Sequence, residues 1–216
     1  MRPLPIALLL SACLALLTGC ASASTARPAG STTAGTAAGT TVGTAPALPA
    51  LVLPPSPLLA LVPAPGEAPA GMLPLLMVSG PRDLAAVAAF STNAGGAAST
   101  LTAHGFTGAY AVQYADPADG RVLSVVASQF RDEAGATADL AADEAAQDGT
   151  PVTVEPLGAD SQARRSPLPG KAGGELFYLR FRSGATTWLL AYGARPTADP
   201  AVGVALARML LARATT

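Results

Sequence analysis

The sequence predicts an α+β fold for residues 79–216: an antiparallel four- to five-stranded sheet built from two hairpin-helix units, with helices packed on one face. Three observations carry that expectation. The apolar period shortens to two in two separate stretches, a turn sequence splits each stretch, and a helix-capping residue follows each.

Taken in order, Pro81 near the first helical position and Leu84, Val87 and Phe90 on one face predict a short helix over residues 81–90. Asn93, Gly95 and Gly96 break it, and residues 97–104 add a turn or two before Gly105. Residues 108–115 and 121–130 alternate around Asp116-Pro117-Ala118-Asp119-Gly120, whose Asp-Gly pair tolerates positive φ, so they form a hairpin. Asp132 caps a helix reaching about residue 147, which Gly149 and Pro151 stop. A short strand at 151–156 and a loop through Arg164, Arg165, Pro167 and Pro169 follow. In the next strand, 174–182, Phe177, Leu179 and Phe181 point one way and Tyr178, Arg180 and Arg182 the other, so one face is expected buried and one wet. The Ser183-Gly184 turn leads back through 186–192. Asp199-Pro200 then opens a last helix to about Arg213, with Val202, Leu206, Met209 and Leu210 on its apolar face.

The 216 residues suffice for one such domain, and a chain that is 50% hydrophobic and 12% charged is not a highly charged disordered protein. Lys and Arg total 13 against 14 acidic residues, with no dense basic stripe to neutralise phosphates, so nucleic-acid binding is not expected.

Upstream of the domain the composition changes three times. Arg2 and the apolar run 6–17 have the length of a secretory h-region and fall short of a membrane span. Residues 20–45 are almost wholly Ala, Ser, Thr and Gly, too poor in apolar surface to order, and read as a flexible tether. Its Thr-rich stretch fits a glycosylated stem and a plain linker equally. Residues 46–78 interleave prolines with leucines, which forbids a continuous helix; an extended arm lying partly along the domain is expected.

Leu17-Thr18-Gly19-Cys20 closes the apolar run and resembles a bacterial lipobox. The resemblance to bacterial lipoproteins implies removal of residues 1–19, diacylglycerylation of the Cys20 thiol, and a mature protein held on the cell membrane, extracytoplasmic, by its acyl chains. An ordinary signal cleaved around Ala21 to Ala23 is the alternative. With Cys13 removed and Cys20 acylated, the folded part keeps no thiol. The order from His104-Gly105-Phe106-Thr107-Gly108-Ala109-Tyr110 through hairpin, helix, hairpin and helix also resembles secreted lipoproteins of unassigned function from mycobacteria and related actinobacteria. That family implies location and architecture and supplies no catalytic residues.

Residue chemistry points the same way. His104 is the single histidine, there is no Gly-x-Ser-x-Gly elbow, and Cys and His are too few for a zinc site, so no catalytic or metal residue is assigned and no cofactor is expected. Asp116 and Asp119 fit a hairpin turn better than a calcium loop, and Asp139 and Asp143 fit the solvated face of an acidic helix. One candidate site remains: Arg164, Arg165, Tyr178, Arg180 and Arg182 could gather into a cationic, aromatic patch for an anionic group, against the plainer reading of an ordinary wet sheet face. Trp188, Leu190 and Tyr192 alternate and suit either core or an apolar groove. The expected function is a lipid-anchored, non-catalytic binding or interaction module at the cell envelope. Its membrane partner is reached through acyl chains, and its second partner is an envelope protein, lipid or glycan; a lipid or glycan carrier is the alternative, with an envelope hydrolase behind it.

Overall fold

The computed structural model describes residues 52–90, 94–144, 149–168 and 173–214. The expected signal segment, Cys20, the tether and the first residues of the arm lie outside them, as do Asn93, residues 145–147 of the acidic helix and Pro169.

In chain order the strands are β1 (Leu73–Pro74), β2 (Gly80–Arg82), β3 (Phe106–Ala115), β4 (Val122–Phe130), β5 (Thr150–Pro151), β6 (Asp160–Pro167), β7 (Glu175–Ser183) and β8 (Thr186–Ala194). The α-helices are α1 (Leu84–Ala88), α2 (Ala94–Ala103), α3 (Glu133–Glu144) and α4 (Pro200–Ala214). All eight strands join one antiparallel sheet in the order β1-β3-β4-β8-β7-β6-β5, with β2 also on β3. Its centre is the two expected hairpins laid side by side through the β4–β8 pairing. Both turns use glycine at positive φ, Gly120 at 66° and Gly184 at 52°.

The sheet therefore has eight strands where four to five were expected: β1, β2 and β6 are the additions, and the three shortest strands have a feature in common. β1, β2 and β5 are two or three residues long, and each carries a proline, Pro74, Pro81 and Pro151. Proline cannot donate to a ladder and sits at sheet edges, where it blocks further pairing. Pro81 is thus a strand residue opposite Tyr110, and helix α1 starts three residues later at Leu84, with the Asp83 carboxylate accepting from the Ala86 amide at 2.8 Å. The expected strand 151–156 shrinks to β5, and the expected loop through Arg164 and Arg165 is strand β6, paired along its whole length with β7. Only Ala163 is buried in β6, so its sequence lacks the apolar alternation that marks a half-buried strand.

Helices pack on both faces of the sheet, not on one. Phe177, Leu179, Phe181, Trp188 and Leu190 face α4 and its buried Leu206, Ala207 and Leu210. The opposite face carries α1, α2 and α3, with Ala88, Leu101, Phe130 and Ala136 forming a small core of their own. Cover on both sides explains why β7 and β8 are buried almost without interruption. Helix α4 lies close enough that a Cβ on Gly203 would stand 2.7 Å from the Phe177 ring.

The arm covers a further part of the α4-side face. Residues 52–78 run past β3 and β8, with single 3-10 turns at Pro57–Leu61, Pro65–Glu67 and Leu76–Val78 and the short strand β1 between the last two. Leu53, Val62 and Met72 are buried in the same core as Tyr110, Val112, Tyr114 and Trp188. Each such side chain contributes about 1.5–3 kcal/mol by leaving water, so the arm is a structural layer of the domain.

Candidate functional site

Strand β7 and helix α3 set the geometry of the expected cationic patch. Tyr178, Arg180 and Arg182 do share one face of β7, but that face is covered: the three are 5%, 7% and 7% exposed. The expectation of a wet face fails because α3 lies over it and brings carboxylates to both arginines. Asp139 stands 3.2 Å from Arg180 and accepts a further bond from Thr187 at 3.4 Å. Glu133 at 2.7 Å and Asp160 at 2.9 Å hold Arg182. Burial pulls the Arg180 guanidinium below its ordinary pKa and the Asp139 charge opposes that, while the Glu133 bond raises Arg182. Desolvation also raises the Tyr178 phenol. Asp139 is therefore an inward residue of α3, not part of a solvated acidic face; the Asp143 side chain lies outside the described residues.

The other two patch residues diverge. Arg164 pairs with Tyr178 and shares its face, where it donates to the Gly149 carbonyl at 3.2 Å. Arg165 pairs with Phe177, so it points to the opposite face, and it lies 3.4 Å from Glu175. The structure thus brings Tyr178, Arg180, Arg182 and Arg164 to one face and separates Arg165 from them.

His104 ends up half-buried just beyond α2, with Nδ1 buried and without a hydrogen-bond partner. Asp116 and Asp119 belong to the hairpin turn: Asp116 accepts from the Ala118 and Asp119 amides at 2.9 and 3.2 Å and pairs with Arg121, which also donates to the Ala70 carbonyl. Among the described residues no group of three His, Cys, Asp or Glu side chains converges as metal ligands. None of the described helices is long and apolar enough to cross a membrane.

The arm makes the second notable site. Tyr110, Tyr114 and Trp188 each aim a polar tip at its backbone: the Tyr110 hydroxyl donates to Pro54 at 2.8 Å, the Tyr114 hydroxyl to Pro63 at 2.6 Å, and the Trp188 indole to Leu61 at 2.8 Å. An extended proline-rich chain leaves its carbonyls unpaired, so these aromatics supply the missing donors. Burial raises both phenols, Tyr114 the more strongly. Arg213 at the end of α4 closes the arrangement by pairing with Glu67 and donating to the Val62 carbonyl at 3.3 Å. Its bond holds the Glu67 carboxyl below the ordinary carboxylate range. Between the arm and the end of α4 lies an open groove of about 500 Å³, walled by Val52, Leu53, Leu59 and Val62, with exposed Ala60 and Ala64 on its wall and the Glu67–Arg213 pair as its charged part. Sequence spacing held no sign of this site, since Glu67 and Arg213 stand 146 positions apart.

This arrangement defines a class: an open antiparallel sheet between helices, with an N-terminal arm strapped across one face. Among solved structures the chain is similar to the extracellular domain of PknH from Mycobacterium tuberculosis, with a TM-score of 0.51 over 73% of this chain and 94% of that one, at 13% identity. At that identity the likeness is one of fold. No protein-family model matches the chain, and no curated protein matches it.

Proposed function

We propose that this protein is a lipid-anchored extracytoplasmic lipoprotein whose α+β domain serves as a non-catalytic binding or interaction module at the cell envelope. One observation carries the reading: Leu17-Thr18-Gly19-Cys20 stands directly after an apolar run of h-region length, where a lipobox cysteine belongs. Two acyl chains on that sulfur, at roughly 0.8 kcal/mol per buried methylene, would hold the mature chain on a bilayer. The resemblance in fold to an extracellular domain supports the location. The partner on this reading is an envelope protein, lipid or glycan.

The apolar groove beside Val52 favours the second reading, a carrier of lipid. Metabolic labelling tests the main one. Cells fed labelled palmitate should label the wild-type chain and leave Cys20→Ala unlabelled; an unlabelled wild-type chain would remove the anchor from the account.

A further inference from the structure

The groove between the arm and α4 is lined by apolar side chains along most of its length, and its two charged lining residues are Glu67 and Arg213, bonded to each other. Its volume of about 500 Å³ falls within the roughly 300–1,000 Å³ typical of small-molecule sites. Such a shape matches an amphiphile with one hydrocarbon tail and one carboxylate head: the tail replaces water along Val52, Leu59, Ala60 and Ala64, and the head takes the place of Glu67 on Arg213. We propose that this groove is a binding site for a long-chain fatty acid.

Position adds to the shape. Val52, a wall of the groove, is thirty-two positions downstream of Cys20, so on the anchored-lipoprotein reading the groove is tied to the bilayer through that many residues. A groove tied there stays near the bilayer surface, where free fatty acids partition. Carrying a fatty acid rests on the anchored-lipoprotein reading for its biological setting, but the binding itself does not need the anchor.

Trp188 offers the readout. It is the sole tryptophan, and its indole bonds to Leu61, whose neighbours Ala60 and Val62 both line the groove. Full-length Cys20→Ala protein, free of its own acyl chains, is titrated with 9,10-dibromostearic acid while Trp188 emission is followed, and palmitic acid is then added as competitor. Saturable quenching that palmitic acid reverses is expected. Ala60→Phe and Ala64→Phe, which fill the groove from exposed positions, should weaken it about tenfold. Glu67→Gln should tighten binding, because Arg213 loses the competing carboxylate, even though the same change removes an ion pair that fastens the arm. Quenching that never saturates, that both phenylalanine variants leave unchanged, or that Glu67→Gln weakens would overturn the assignment. Palmitate labelling of Cys20 is read separately, so the site and the anchor can fail independently.

Discussion

Trp188 and Leu61 are joined across 127 positions by an indole-to-carbonyl hydrogen bond of 2.8 Å, which fastens the arm to β8, the second-last element of the fold. The Trp188 ring also stacks on Phe181 with centroids 5.1 Å apart and planes 5° from parallel. Through this one side chain the arm, β7 and β8 share a core.

Replacing that indole keeps the stack and removes the donor. Trp188→Phe should lose about 1–3 kcal/mol by leaving the Leu61 carbonyl unsatisfied, with a further loss from the space vacated. Urea unfolding followed by circular dichroism measures the loss. Limited proteolysis should cut the variant first within residues 52–70; unchanged stability and an uncut arm would contradict the strap.

The ion pairs under α3 differ in burial and should differ in cost. Arg180 and Asp139 have side chains 9% and 15% exposed, so Asp139→Ala, which takes a carboxylate away from a buried guanidinium, should cost up to about 3–5 kcal/mol. Glu133 is 65% exposed and shares Arg182 with Asp160, so Glu133→Ala should cost less than about 1 kcal/mol. Denaturant midpoints for the two variants decide the ranking. The double change Asp139→Leu with Arg180→Met should recover most of what Asp139→Ala loses.

Acid should loosen the arm. The Arg121 bond depresses Asp116, and the Arg213 bond depresses Glu67. A carboxyl whose folded pKa lies below its unfolded value adds stability that is full above the unfolded pKa, about 4 for both residues, and is lost as pH falls through the folded one. Thermal stability should accordingly hold from neutral pH down to about 5 and decline below about 4. Asp116→Asn and Glu67→Gln should each flatten that decline; an identical pH profile in both variants would show that neither carboxyl contributes.

Gly203 tests how tightly α4 is seated. A methyl group there would meet the Phe177 ring at 2.7 Å, so Gly203→Ala should destabilise by about 1–3 kcal/mol through overpacking, although alanine is the better helix former. A rise in melting temperature would mean that α4 can shift outward at little cost.

The two central hairpins, their Gly120 and Gly184 turns, and the Asp132 and Asp199 caps were legible because each rests on local period and capping. β6 was not, because Gln162, Arg164 and Ser166 borrow their burial from β7 and carry no apolar signal of their own. The second helical layer was hidden for a related reason: Arg180 and Arg182 read as solvent-facing until α3 supplies Asp139 and Glu133 from more than forty positions away. Proline density argued against a continuous helix in the arm, whose described residues hold only short 3-10 turns. It could not show that Tyr110, Tyr114 and Trp188 would supply donors to the carbonyls of that arm, since such pairings exist only once the sheet forms.

Mass spectrometry of the N-terminal peptide from the membrane-associated protein tests the central claim most directly. The account predicts a first residue at Cys20 with a diacylglyceryl group on its sulfur. A mature chain beginning within residues 21–24, or one retaining an unmodified Cys20 thiol, would contradict it.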